Sequence, residues 1–298
     1  MMKRLLLFSI LCLSSSALLG QEQGKEKGKW TEKIDVSRFP HRDSVRRELE
    51  TIPAFGIYKD NYFVTGTNFR GGGINKNNSD AKFQVSIMHR LIKGILPHEM
   101  YVFLTYSQRS FWDIYKKSAP FAETVYNPSL GVGNNIVLND HVVGVLLFQV
   151  EHESNGRDSI WNRSVNKVSF TALYSVNRNL NLQFKVWVPF WTAKENKDIS
   201  RYAGYWHVAA NYQTPNRRFS FSGVYTKRGG WDLNANFMLE AAFRLTKRSN
   251  QYLCIQYYNG YGESLLDYKA FSGYVRVGIV IKPQPVSYTH LRAHETCA

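Results

Sequence analysis

The stretch Val142-Val-Gly-Val-Leu-Leu-Phe-Gln-Val-Glu-His-Glu-Ser154 decides the fold. Its even positions are Val142, Gly144, Leu146, Phe148, Val150, His152 and Ser154, while the odd ones end in Gln149 and Glu151. Successive residues of a strand point to opposite faces, so this segment has an apolar face that ends in two polar residues. The next run repeats the pattern. Val168, Phe170, Ala172 and Tyr174 share one face, and Arg163, Lys167, Ser169 and Thr171 share the other. A transmembrane barrel turns the apolar face to lipid and the polar face to the lumen. A soluble barrel reverses the two faces and gives the same alternation, so parity alone leaves both open.

Similar runs fall near 54–68, 80–93, 99–113, 124–137, 141–154, 163–177, 179–191, 201–213, 217–227, 231–246, 250–260 and 270–281. Short turns are expected at 177–179, 214–216 and 247–250, and longer polar loops at Phe69–Asp80 and Lys194–Ser200. Short turns at one end and long loops at the other, around an even number of strands, are the pattern of a bacterial outer-membrane barrel. The expected fold is therefore all-β, a transmembrane antiparallel β-barrel of about twelve strands.

Both ends of the chain read differently. Lys3 and Arg4 precede an apolar run from Leu5 to Leu13 and small residues Ser14 to Ala17. That is a secretory signal peptide, with cleavage expected near Gly20–Gln21. Its apolar run is too short for a spanning helix. Residues 21–52 read as a charged periplasmic extension with room for a short helix at Arg42–Leu49. From Val286 the chain resembles the translation of a sequencing adapter, so His290, His294 and Cys297 are set aside. The expected organisation is a signal peptide at 1–20, an extension at 21–52, a barrel at 53–285 and a non-native tail at 286–298.

These exclusions leave one cysteine, Cys254, and no intramolecular disulfide. The formal net charge is +15, and removing Lys3 and Arg4 leaves 15 − 2 = +13. For an exported chain, a basic balance points to anionic lipid rather than nucleic acid. Aromatic residues make up 14%, including 18 Tyr, 18 Phe and 7 Trp. With export and no apolar run of helix-spanning length, that load favours the membrane barrel.

The chemistry concentrates in Glu151-His-Glu-Ser-Asn-Gly-Arg-Asp-Ser-Ile-Trp-Asn-Arg-Ser-Val-Asn-Lys167. His152 and Ser154, two apart on one strand, share a face. A serine hydroxyl becomes a strong nucleophile when a base takes its proton, and His152 is in reach to be that base. Asn166 has matching parity on the next strand and can accept from the imidazole and fix its tautomer. Polar groups on a lipid-facing surface are expensive and usually functional. The Gly-x-Ser-x-Gly elbow of soluble lipases is absent, since His152 stands where its first glycine would be. Glu151 and Glu153 have the opposite parity and should face the lumen. Asp158 reads as a solvated loop carboxylate, and Glu263 and Asp267 as hydrogen-bonding residues of the last loop. Trp187, Trp191 and Trp206 read as interface-girdle or strand-packing residues.

The sequence resembles the bacterial outer-membrane phospholipase A family. The resemblance rests on His152 to Arg157, Arg163-Ser-Val-Asn-Lys167, Ser118-Ala-Pro-Phe-Ala-Glu-Thr-Val-Tyr-Asn-Pro128 and Tyr261-Gly-Glu-Ser-Leu-Leu-Asp-Tyr268, and runs from about Pro53 to Ile281. It implies a twelve-stranded barrel that hydrolyses acyl esters of membrane phospholipids, in the outer membrane, with calcium and as a homodimer sharing calcium sites. Carried over by position, Ser154 is the nucleophile, His152 the base and Asn166 its orienting partner. The Gly156 amide serves the oxyanion. The Arg157 carbonyl and the Asn162 side chain hold calcium, with a carbonyl at Ser118 from the second copy. Asn162 stands where the family has Ser, and Val165 where it has Trp. An alternative alignment, with a four-residue gap, makes Asn162 the third triad member. Two other functions are compatible with a barrel of this kind: lipopolysaccharide deacylation, and a non-enzymatic porin-like role.

Overall fold

The computed structural model describes residues 53–283, apart from 93–95, 97–99, 139–140 and 248. The expected signal peptide, the extension with its short helix, and the tail at 286–298 lie outside the described residues. The elements are β1 (Phe55–Ile57), β2 (Asn61–Asn68), β3 (Ser79–Ile92), β4 (Tyr101–Trp112), β5 (Phe121–Leu138), β6 (His141–Ser154), β7 (Ser164–Ser175), β8 (Leu180–Thr192), a short helix α1 (Ile199–Ala203), β9 (Trp206–Gln213), β10 (Phe219–Lys227), β11 (Ala235–Arg244), β12 (Gln251–Gly260) and β13 (Ser272–Ile281). Each strand from β2 to β13 pairs antiparallel with the next, and β13 pairs back onto β2, so the sheet is closed. A closed sheet has no edge, and each strand from β2 to β13 finds backbone partners on both sides.

β1 and β2 both lie against β3 and form one interrupted stave, which makes the barrel twelve-stranded. Phe55 pairs with His89 and Tyr62 with Gln84. Seven steps along the stave (62 − 55) thus match five along β3 (89 − 84), and two extra residues are accommodated at 58–60. They turn inward: the Tyr58 hydroxyl donates to Gln149 Oε1 at 2.8 Å, and the Lys59 amide donates to Ser86 Oγ at 3.3 Å.

The faces decide between the two kinds of barrel. Phe148, Val150, Phe170, Phe184, Val188, Ile255 and Val277 are exposed on the outside. Gln149, Glu151, Ser169, Lys185, Glu240, Gln256 and Arg276 alternate with them and are buried inside. Apolar residues facing out and polar residues facing in is the membrane arrangement.

The polar interior is paired. Arg276 lies between Asp80 (Nε to Oδ1, 2.7 Å) and Glu263 (Nη1 to Oε1, 2.6 Å). Lys282 bridges Glu240 at 2.6 Å and Asp60 at 3.0 Å. Buried charges need such partners, because an isolated ion pays its whole desolvation penalty.

Loops 69–78, 113–120, 155–163, 193–205, 228–234 and 261–271 share one end, and short turns at 176–179, 214–218 and 245–250 share the other. Loop 261–271 folds back onto the wall. Glu263 also pairs with Lys82 at 2.9 Å, while Glu123 accepts from Ser264 Oγ at 2.6 Å and from the Leu265 amide at 2.9 Å. Under it Val125, Val165, Ile199, Leu265 and Tyr268 form an apolar cluster. Val165, beside Asn166, is therefore well packed as a valine.

Four expectations are corrected. The first expected strand, 54–68, is broken at 58–60 by the inward excursion. Residues 201–203 belong to α1, because Ile199 is drawn into the apolar cluster and Gly204 (φ 90°) ends the helix before β9 begins. β11 starts at Ala235, after a loop around Gly229, Gly230 and Asp232. Glu263 pairs with the barrel wall rather than within its own loop, because Lys82 and Arg276 are the lumenal cations facing it.

Burial alone would raise the Glu263 carboxyl, but the positive charges of Arg276 and Lys82 outweigh it and hold it down to about 2. A carboxyl depressed on folding contributes stability that is present above its ordinary value of 4.5 and is lost as pH falls toward 2. The contribution is on the order of 3 kcal/mol. Acidification from about pH 5 to about pH 2.5 should therefore raise amide hydrogen exchange across 261–271 well before the strands open. Unchanged protection of that loop would show that Glu263 does not hold it.

Candidate active site

The ladder between β6 and β7 sets His152 directly opposite Asn166 and Ser154 opposite Ser164. His152 is exposed on the outer face, following Phe148 and Val150. Its Nδ1 lies 2.6 Å from Asn166 Oδ1. An amide oxygen can only accept, so this contact puts the proton on Nδ1 and leaves Nε2 free as a base. Ser154 shares the face of His152 and is half-buried, and among the described residues its hydroxyl has no hydrogen bond, to His152 or elsewhere. Proton-transfer contacts are often loose before substrate binds.

Glu151 and Glu153 point the other way, as their parity predicts. Glu151 pairs with Lys185 at 2.5 Å, and Glu153 with Lys167 at 2.6 Å. With its flanking carboxylates paired in the lumen, His152 has one side-chain hydrogen-bond partner among the described residues, the Asn166 amide.

The loop after Ser154 is tied shut by Asn155, a residue the sequence reading passed over. Its Oδ1 accepts from the amides of Arg157 at 3.3 Å and Arg163 at 3.0 Å, and its Nδ2 donates to the Trp161 carbonyl at 2.9 Å. Its own amide donates to the Arg163 carbonyl at 3.0 Å. An Asn directly before Gly-Arg was the available signal, since such side chains organise turns.

Gly156 takes φ 65°, where an L side chain is strained, and a Cβ there would meet Tyr126 at 3.2 Å. Its amide has no hydrogen bond among the described residues. The Arg157 guanidinium donates to the Ala122 carbonyl, and Arg163 Nη1 donates to the carbonyls of Ile160 at 2.9 Å and Asn162 at 2.8 Å. The Asn162 side chain has no hydrogen bond among the described residues. Asp158 is exposed, as expected. Ser118 sits in another loop of the same end, exposed and at φ 67°.

Of the three tryptophans, Trp187 lies inside, against His207 (5.8 Å) and Lys167 (5.8 Å). Trp191 is exposed on the outside opposite Asn166, and Trp206 packs between Phe184 and Tyr225.

Among the described residues no group of three or more His, Cys, Asp and Glu side chains could hold a metal. A cation at this loop would be held by neutral oxygens: the Arg157 carbonyl and the Asn162 amide of one turn, with the Ser118 carbonyl as a further donor. All are hard donors, and the Asn162 amide is free of other partners. The set fits calcium and would bind it modestly, having no carboxylate.

Residues 55–281 match the family of phospholipase A1. The phospholipase A1 of Proteus vulgaris is 32% identical over 211 residues, covering 70% of this chain and 71% of that protein. The chain belongs to the phospholipase A1 family. Its fold resembles a Salmonella typhi outer-membrane phospholipase, solved as a dimer with bound calcium (TM-score 0.68, 25% identity, 80% of this chain and 96% of that one). It also resembles the Escherichia coli outer-membrane phospholipase A with an asparagine-to-alanine change in its active site (TM-score 0.67, 25% identity, 80% and 96% covered). The protein is thus an outer-membrane β-barrel that hydrolyses ester bonds of phospholipids.

Asn155 closes the loop with three side-chain hydrogen bonds of about 1 kcal/mol each, so Asn155→Ala should favour the open loop on the order of a hundredfold. Trypsin should then cut the folded barrel after Arg157 or Arg163 and activity should fall. A loop as resistant as the parent's would remove this role.

Proposed function

We propose that this phospholipase uses Ser154 as nucleophile, His152 as base and Asn166 as the group that orients it, with calcium shared between two copies of the chain. The contact of His152 Nδ1 with Asn166 Oδ1, on the lipid-facing surface, carries the reading. It also favours Asn166 over Asn162 as the third member. The active-site asparagine of the Escherichia coli relative supports an asparagine as the third member.

A phospholipid in the outer leaflet meets His152 and Ser154 side-on, without leaving the membrane. His152 Nε2 takes the Ser154 proton as Oγ attacks the ester carbonyl carbon. Charge moves onto the carbonyl oxygen, toward which the Gly156 amide can donate. His152 then gives its proton to the departing glycerol oxygen, leaving an acyl group on Ser154. A water molecule, deprotonated by His152, releases the fatty acid and restores the serine. Asn166 keeps the ring in one tautomer throughout. It stabilises the imidazolium less than a carboxylate would, but it adds no charge at the lipid surface.

The Arg157 carbonyl and Asn162 side chain would hold calcium, completed by Ser118 of the partner subunit. Bound calcium supplies positive charge near the developing oxyanion. The calcium-bound dimer of the Salmonella typhi relative supports this arrangement. A metal site split between copies links calcium binding to dimerisation, so each strengthens the other.

Ser154→Ala should lower phospholipid turnover by at least about a thousandfold while the barrel folds, as loss of a nucleophile commonly does. Activity within about tenfold of the parent would remove the triad.

A calcium titration in detergent should raise dimer fraction and activity together. Asn162→Ala should raise the calcium needed about tenfold, and Asn166→Ala should lower the rate without changing that requirement. The reverse pattern would make Asn162 the triad member, and full activity in a sample that stays monomeric would remove the shared site.

A further inference from the structure

The ladder between β5 and β6 is interrupted at a bulge between Ile136 and Val137 and again beside His152. Tyr126 pairs with Ser154, Leu130 with Val150 and Ser129 with Glu151, but the pairs at Asn127 and Pro128 are missing. The register places Pro128 opposite His152. Proline has no N–H, so the His152 carbonyl lacks the ladder donor that any other residue at 128 would give it. On its other side Pro128 keeps its pairing with Tyr106 of β4, so the gap is confined to the edge that faces the histidine.

The missing donor is replaced. Asn127, buried at 8% exposure on the lumenal side, sends its Nδ2 to the His152 carbonyl at 3.1 Å. An unpaired carbonyl within the wall of a membrane barrel costs several kcal/mol, so some donor is needed there. The His152 carbonyl is thus held by a side chain in place of the ladder donor. The same residue must keep its ring within 2.6 Å of Asn166.

We propose that Asn127 is a positioning residue for His152: its amide replaces the hydrogen bond that Pro128 cannot give and fixes the main chain from which the imidazole projects. The role rests on the triad reading above. Without the Asn127 amide the His152 peptide is free to tilt toward another donor. The ring then loses its alignment between Asn166 and Ser154, and small misplacements of catalytic groups have large effects on rate.

The test uses the full chain in phosphatidylcholine–detergent mixed micelles with saturating calcium, with folding checked by heat-modifiable electrophoretic mobility. Asn127→Leu and Asn127→Ala should each lower kcat about tenfold with KM within about twofold, as expected of lost positioning rather than lost binding. Adding Pro128→Ala to Asn127→Leu restores a backbone N–H opposite His152 and should recover kcat to within about threefold of the parent. A merely structural role for Asn127 would not be rescued by a donor at 128. Single variants with kcat within about twofold of the parent, or a double variant no faster than Asn127→Leu, would overturn the proposal. His152→Ala separates it from the reading beneath it. Lost activity there with full activity in both Asn127 variants removes the positioning role alone. Activity retained in His152→Ala removes the triad, and this proposal with it.

Discussion

Hydrocarbon offers no hydrogen bonds to a peptide, and the rest of this molecule follows from that constraint. Every N–H and C=O at membrane depth must find a partner within the protein. The pairing of β13 with β2 meets the demand by closing the sheet. Closure creates an interior, and the alternation of side chains makes that interior polar. It therefore fills with paired charges such as Arg276 with Asp80 and Glu263. The ladder that satisfies the backbone also sets the register of β6 against β7, and so brings His152 to Asn166. Site and scaffold are held by the same bonds.

The two faces of β6 divide the labour. Inward, Glu151 and Glu153 are tied to Lys185 and Lys167 and anchor the strand electrostatically. Outward, His152 and Ser154 are left with neutral neighbours. Such separation suits a site in lipid, where an uncompensated carboxylate would be costly. The loop that follows works similarly: Asn155 satisfies its backbone with a single neutral side chain, leaving the Gly156 amide and the Asn162 amide oxygen unclaimed.

Much of this was legible in the sequence because parity is a local property. Phe148, Gln149, Val150 and Glu151 announce their faces by order alone, and two-residue spacing puts Ser154 with His152. Matching parity put Asn166 on the face of His152, and the β6–β7 register sets it opposite. What parity could not show is which face met lipid, since both kinds of barrel alternate alike. Nor could it show the inward excursion at 58–60, where Tyr58 and Lys59 read as ordinary strand residues but two extra positions must be absorbed. α1 was missed for another reason: five residues from Ile199 to Ala203 are too few for a periodic signal, and tertiary packing of Ile199 decided their shape. Glu263 was placed in its loop but not on its partners, which lie far away in sequence at Lys82 and nearer at Arg276.

With His152 and Ser154 as the proposed site, opening sideways from the wall, an encounter with substrate is a collision in two dimensions. Lipids arrive by lateral diffusion within one leaflet, and water concentration of substrate has no bearing on how often they do. The governing variable is the mole fraction of cleavable lipid at the barrel's perimeter. Diluting the leaflet with inert amphiphile starves the enzyme at constant total lipid, while concentrating vesicles leaves it unaffected. An enzyme built this way reads the composition of the surface in which it is embedded.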